Sequence, residues 1–461
     1  MNQPQPSYHN DLSPIETQDW GWFDYLSFWM SDIHSIGGYI LAGTLFGLGL
    51  PPVQILTALI TGSLIVCLFC TLIAVPSQRF GVPFSVIIRA SFGPYAAAIP
   101  AAIRAFIAMA WYGIQTWLAS NAMAVPLLRL FPCLTPFSNT QHYSFLGLSY
   151  LGWGCFLVLW GAQMLLFRKG ISTIRRFFDF AGPAVYIVMV FLLIDLLHMN
   201  HWHWPHTPHS TYHGGLVPWL SATALVVSYF SGPMLNFGDF ARNGRTMGHI
   251  RIGNMFGLPV NFIAFALLAV ATTTLTQPVF GTEMDDPVAI VAHLDNPAAL
   301  ALAIITFLLA TTGINIAANF VSGALDLCAI APKMLNWKRA GWLCGIGAIL
   351  ITPWNLYNNP THMHLTLDTL AAAVGPLFGI VMTDYFIRRR TSLSSAELTL
   401  NTPYDSYAAS AALSATLLGA LIAMAPEGVA SIGFLSNFSW FLGALSGSII
   451  YIILSPKYAN A

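Results

Sequence analysis

Charge is what this sequence has least of. Only 8% of its 461 residues are charged, and 18 cations balance 18 anions to a formal net charge of zero. A soluble chain would carry about 25% charged residues, and no polar stretch here is long enough to enclose a core. The zero balance excludes a basic face for nucleic acid. Cysteine is scarce as well. Cys67, Cys70, Cys133, Cys155, Cys328 and Cys344 fall mostly in apolar segments, without a paired framework or metal-ligand spacing. They read as small apolar fillers. The polar first twenty residues have no basic stretch ahead of a short apolar core, so a cleaved signal peptide is not expected.

Apolar residues fill the space that charge leaves. They make up 56% of the chain, and the mean hydropathy is +0.66. A membrane-spanning helix needs about 20 mostly apolar residues. Twelve such segments are expected, at about 24–46, 52–75, 91–125, 148–167, 177–198, 215–237, 252–276, 297–328, 340–356, 367–387, 409–426 and 433–455. Placing the N-terminus inside puts Arg79, Arg168, Lys169, Arg175, Arg176, Arg242, Arg245, Arg251, Lys333, Lys338, Arg339, Arg388, Arg389, Arg390 and Lys457 in inside segments. Only Arg129 is then in an outside loop. Lys/Arg asymmetry in short loops sets topology, so both termini are expected in the cytoplasm, with 1–23 and 456–461 as the cytoplasmic ends. A bacterial inner membrane is the expected location.

Two of the spans are interrupted. Gly37-Gly38 breaks the first, beside Asp32, His34 and Ser35. Gly232-Pro233 breaks the sixth, beside Ser231 and Asn236. Broken helices at matching positions of two repeats point to a transporter's central site. The freed backbone groups are tolerable only where they face protein, water, substrate or ion.

Polar side chains inside other spans converge on the same idea. Trp111 and Gln115 are four apart in the third span and share a helix face. A flat indole and a primary amide together suit a planar heterocycle with N–H and C=O edges. In the eighth span Thr311, Asn315, Asn319, Ser322 and Asp326 fall within one stripe at α-helical spacing. Such a stripe faces a cavity or ion path, or else glues helices together. Asp32, mid-span, is costly to ionise and suggests reversible protonation, with His34 as partner or second titrating group. Phe230, just before the second break, offers a ring to the other face of a stacked substrate. Asp195, Asp326 and Asp384, near span ends, read as structural or interfacial. The loop 198–213, with six histidines, reads as a polar outer loop with interfacial tryptophans, a metal site being the alternative. Acidic residues at 283–295 read as a solvated outer loop, or as a short surface helix.

Several motifs together resemble one family. They are FGVPFSVIIRASFG (80–93), RAFIAMAWYGIQTW (104–117), NFGDFARNG (236–244), NIAANFVSGALD (315–326), TPWNLYNN (352–359) and GPLFGIVMTDYF (375–386). The chain resembles the nucleobase:cation symporters of type 1, which include hydantoin, allantoin, uracil and cytosine permeases, from about residue 17 to 455. The resemblance implies an all-α, LeuT-like membrane fold with twelve helices. Inverted repeats would occupy 24–198 and 215–387, followed by two C-terminal helices at 409–455. It also implies that Trp111 stacks on the heterocycle, that Gln115 and Asn319 bond its edge, and that Phe230 holds the sixth-helix stacking position. Ser35 stands where hydantoin permeases have Gln. Sodium-coupled members use carbonyls matching Ser31, His34 and Ala310 plus two eighth-helix hydroxyls, whose positions here are Gly313 and Ile314. Isoleucine cannot ligate sodium through its side chain, so proton coupling through Asp32 is the expectation.

The expected protein is therefore not an enzyme. It is a secondary active importer of a planar nitrogen heterocycle, a uracil-like base, hydantoin or allantoin. Phe230 and Ser35, smaller than the Trp and Gln of hydantoin carriers, favour uracil. No cofactor is expected beyond co-transported H⁺ or Na⁺, and no partner beyond substrate and lipid, the protein being a monomer. A sodium-coupled hydantoin or allantoin permease and a passive facilitator are the alternatives.

Overall fold

A computed structural model describes residues 10–455 except 35–37, 39–40, 42–44, 46–49, 206–213, 283, 285–286, 294–296, 358–359, 401–405 and 429. The chain is helical almost throughout. In order come α1 (Trp22–Ile33), α2 (Pro52–Phe80), α3 (Ala98–Leu130), α4 (Tyr150–Arg168), α5 (Ile171–Met199) and α6 (Leu216–Tyr229). Next is α7 (Met247–Phe280), and then α8, which runs through Pro297–Ile314, Asn315–Val321 and Ser322–Ile330. The last four are α9 (Trp337–Leu350), α10 (Pro360–Met382), α11 (Ser406–Met424) and α12 (Ser439–Leu454). Among the described residues eight helices are long and apolar enough to cross a membrane.

The boundaries depart from the apolar runs for identifiable reasons. The third span was expected from residue 91 but starts at Ala98, because Phe84–Ile87 and Arg89–Phe92 form two short buried helices and Gly93 (φ 80°) ends the second. Three spans carry wide π-helical turns, at Phe256–Val260, Asn315–Val321 and Thr383–Arg388. Such turns recur at functional sites. The acidic outer stretch does contain a helix, Pro287–Ala292, with Pro287, Val288, Ile290 and Val291 buried. Glu283, Asp285, Asp286 and Asp295 lie outside the described residues.

Both expected breaks have a local cause. Pro233 has no N–H to donate, and just before it the Phe230 N–H reaches Val226 O only at 3.4 Å. α6 stops at Tyr229 and restarts as Ser231–Leu235. At the first break, a Cβ on Gly38 would overlap the carbonyl of Ile33, so only glycine fits that approach.

Packing places the broken helices centrally. α1 contacts α5, α7 and α8, and the restart of α6 contacts α3 and the wide turn of α8. α10, α11 and α12 pack on one another. At one end of the bundle, residues 10–21 lie across the helix ends. Ile15 N donates to Gly81 O (3.0 Å), Trp20 N to Asn243 O (2.9 Å) and Trp337 N to Asp11 Oδ2 (2.9 Å). A hairpin of β1 (Ser144–Phe145) and β2 (Leu148–Ser149) turns through Leu146 and Gly147, both at positive φ. Trp354 Nε1 donates to Leu146 O at 2.7 Å, tying the hairpin to the segment after α9.

Candidate functional site

α3 supplies the stacking platform. Trp111 is half-buried, and the ring of Tyr229, the last residue of α6, stands edge-on to it with centroids 6.5 Å apart. Gln115, one turn further along, is buried, and its Oε1 has no hydrogen-bond partner among the described residues. A buried carbonyl left unpaired costs about 1–3 kcal/mol, so this atom wants a donor from outside the chain. Phe230 is fully buried, with its ring against Trp29 (6.2 Å), Tyr229 (5.1 Å) and Phe262 (5.6 Å). The aromatic that sequence reasoning passed over is Tyr229. Its signal was adjacency to the same break.

The eighth-helix stripe divides into two roles. Asn315 Nδ2 lies 2.9 Å from Tyr112 O, 2.8 Å from Thr116 Oγ1 and 3.0 Å from Gln163 Oε1, so it ties α8 to α3 and α4. Asn319 Nδ2 donates to Asn315 Oδ1 (3.1 Å), which fixes the orientation of the Asn319 amide. Deeper on α8, Asp326 is fully buried rather than interfacial. The Asn236 amide donates to Asp326 Oδ2 (3.1 Å) and to Asp239 Oδ2 (3.0 Å), while Phe84 N–H donates to Asp239 Oδ1 (2.9 Å). Arg104, two turns below Trp111, donates to Ala318 O in the wide turn (3.0 Å) and packs against Gly232. Below this cluster a cavity of about 690 Å³ opens between Asp11, Ile15, Asp239, Arg242, Val321 and Trp337.

The expected cation positions lie together on α1 and α8. Ser31 and Asp32 are buried, and Ser31 Oγ and Asp32 Oδ2 have no partner among the described residues. Ala310 and Ile314 are buried on α8. Gly313 packs against Ser31: a Cβ there would lie 3.3 Å from Ser31 Cβ and 3.4 Å from its Oγ. The helices are thus too close for a hydroxyl side chain at 313 without adjustment. His34 closes the last turn of α1, with Nδ1 2.8 Å from Gly182 O and Nε2 2.9 Å from Asn261 Oδ1. Ser35, His206, His209 and His213 lie outside the described residues. Among those described, no three His, Cys, Asp or Glu groups are disposed to hold a metal.

With this geometry in place the comparisons are decisive. A family model described as permease for cytosine/purines, uracil, thiamine and allantoin matches residues 13–454. The chain belongs to this family, the nucleobase:cation symporters of type 1. It is 34% identical to the allantoin permease of Bacillus subtilis over 98% of this chain and 94% of that one. It is 27% identical to a putative allantoin permease of Escherichia coli over 98% and 96%. Among solved structures it resembles Mhp1, a nucleobase-cation-symport-1 family transporter, in a closed conformation with bromovinylhydantoin bound. There the TM-score is 0.75 with 19% identity, covering 100% of this chain and 98% of that one. An inward-facing conformation of Mhp1 gives 0.74 with 19% identity, covering 100% and 97%. The chain is thus a multi-pass, all-α membrane protein of the LeuT-like fold. It is a transporter and not an enzyme.

Proposed function

We propose that this permease imports a planar ureide or imide heterocycle, with allantoin the first candidate, by proton symport. Alternating access would come from the repeat at 24–198 moving against that at 215–387, with 409–455 packed outside them. Both termini would be cytoplasmic, in a bacterial inner membrane. In this reading Trp111 stacks on the ring, Gln115 and Asn319 bond its edge, and Phe230 backs the aromatic wall. Ser35, which lies outside the described residues, is a further proposed contact. The observation that carries it is the unpaired Gln115 Oε1, buried one turn from the Trp111 ring. An imide or ureide N–H is the donor that atom needs. Allantoin is placed ahead of uracil because the relative from Bacillus subtilis bears that name at 34% identity.

Proton rather than sodium coupling is supported by Gly313 and Ile314, neither of which offers a side-chain oxygen. A sodium-coupled reading draws on Ser31 Oγ and Asp32 Oδ2, both buried without partners among the described residues. Uptake of labelled allantoin into proteoliposomes, with competition by uracil, hydantoin and cytosine, tests the substrate class. Saturable uptake that allantoin or hydantoin suppresses and cytosine does not is expected. Unsaturable flux, equal for all four, would rule the reading out.

A further inference from the structure

The Asn315 amide has one way to lie. Its Nδ2 sits 2.9 Å from Tyr112 O and 2.8 Å from Thr116 Oγ1 on α3, and 3.0 Å from Gln163 Oε1 on α4. The Thr116 hydroxyl donates its proton to Tyr112 O at 2.7 Å, which leaves its oxygen to accept. All three neighbours are therefore acceptors, and one is a backbone carbonyl that cannot turn round. Gln163 keeps its carbonyl on Asn315 even though its own Nε2 is buried without a partner among the described residues. An inverted Asn315 amide would set oxygen against oxygen, and all four residues are buried away from water. Asn315 Oδ1 must then point the other way, where it meets Asn319 Nδ2 at 3.1 Å. That bond takes one N–H of Asn319. Its second N–H, and Oδ1 on the far side of the amide, remain for a ligand.

We infer that Asn315 is a positioning residue: anchored by Tyr112, Thr116 and Gln163, it fixes the Asn319 amide and so sets the hydrogen-bond pattern that a substrate must present. The inference rests on the reading above, in which Gln115 and Asn319 meet the substrate's edge, and deepens it to a substrate class. An amide held this way offers a carbonyl acceptor beside an N–H donor. Its match is a ring N–H beside a C=O, the edge that ureides and imides repeat. Gln115, whose unpaired Oε1 wants an N–H, makes the same demand from α3. The site thus asks for two such edges, one for each amide. Hydantoin and uracil have two. Cytosine has one, N1–H beside C2=O. Its other edge is inverted, a bare N3 beside an amino group, and against a fixed Asn319 it sets donor on donor and lone pair on lone pair. A site built to bond one pattern rejects the analogue that lacks it, because its own buried groups are left unpaired.

The same bonds hold α3, α4 and α8 together, and helix glue alone has a different consequence. Loosened helices weaken every ligand alike. Lost polarity weakens the ureides and admits cytosine. Once Asn319 is free to turn, it can meet the inverted edge of cytosine while the N1–H edge lies on Gln115. A gain of cytosine binding is therefore the signature of positioning.

Displacement of labelled allantoin from the purified permease by hydantoin, uracil and cytosine reads this polarity. The wild type should prefer hydantoin to cytosine by about tenfold or more. Uracil, with the ring size of cytosine, should side with hydantoin. Asn315→Leu should weaken hydantoin and strengthen cytosine, so that their ratio falls by about tenfold. Asn319→Ala, which removes the amide itself, should also lower the ratio. Where Asn315→Leu is not recovered folded, Thr116→Val combined with Gln163→Met leaves Tyr112 O as the lone anchor, and the ratio should fall by about threefold or more. A folded anchor variant that keeps the wild-type ratio, with all three competitors weakened alike or not at all, overturns the inference. So does a wild type that binds cytosine as well as hydantoin. Failure of hydantoin to displace allantoin, or an unchanged ratio in Asn319→Ala, overturns the reading beneath it.

Discussion

Asp239 and Asp326 share one amide. The Nδ2 of Asn236 donates to a carboxylate oxygen of each, at 3.0 and 3.1 Å, and so holds the restart of α6 to the inner half of α8. Bonds to charged groups are worth about 1.5–3 kcal/mol each. Removing the donor also leaves two buried carboxylates face to face. Asn236→Ala should therefore destabilise the folded permease by roughly 3 kcal/mol or more. Thermal unfolding in detergent checks this. An unchanged midpoint would mean that other donors hold the two acids without Asn236.

The stacking platform makes a sharper forecast about binding. Ring stacking is worth about 1–3 kcal/mol per base-sized heterocycle. Trp111→Ala should thus weaken allantoin binding by roughly five- to a hundred-and-fifty-fold. Gln115→Ala removes the buried acceptor and should weaken it by a similar factor. Both variants should remain extractable as folded protein. Near-normal affinity in both, by fluorescence titration, would remove the substrate site from α3.

An acid-sensitive lock sits beyond the end of α10. The loop after α10 returns Glu397 to Arg389, whose other nitrogens bond Asp384 Oδ2 (2.7 Å) and Ala90 O (2.8 Å). Partial burial pushes the Glu397 carboxyl up, but its bonds to Arg389 and the guanidinium charge outweigh that and hold it below its usual value. A lowered carboxyl contributes stability above the unfolded value, about 4.3. That contribution is lost as pH falls through the lower folded value. Unfolding midpoints should drop below about pH 4, and Glu397→Gln should lose that part of the dependence. Parallel profiles for the two proteins would place the acid sensitivity elsewhere.

The outer hairpin gives a test of close packing. Gly147 has φ 89°, and a Cβ there would lie 2.7 Å from Asn355 Oδ1. Gly147→Ala should strain the turn by about 1–3 kcal/mol and loosen the Trp354 bond to Leu146. Faster proteolysis at residues 144–149 is the expected readout. Unchanged resistance would show that the hairpin yields freely.

How much of this was legible in the sequence depends on the residue. The spans, the break at Gly232-Pro233 and the pairing of Trp111 with Gln115 follow from apolar length, imino chemistry and helical spacing. The start of α3 did not, because the residues from Ser91 to Ala97 run on into the apolar span and read as part of it, whereas the chain turns at Gly93 (φ 80°) first. Which aromatic stands beside Trp111 was not readable either. The backbone at Phe230 (φ −85°, ψ 1°) leaves the helix, and the phase that would choose between Tyr229 and Phe230 is lost there. Asp326 read as structural or interfacial because it lies near the end of its apolar run, and its full burial was not readable there. Its partners, Asn236 and Asp239, are about ninety residues away in the chain. The contacts of His34 span 148 and 227 residues, beyond any local pattern.

Transport itself offers the most direct test of the whole. Purified permease is reconstituted into sodium-free vesicles with an acid exterior, and internal allantoin is followed against its outside concentration. Proton-coupled import predicts accumulation above the outside level that collapses when an ionophore dissipates the pH gradient. Equilibration without accumulation, or accumulation that appears only when sodium is added, would contradict it.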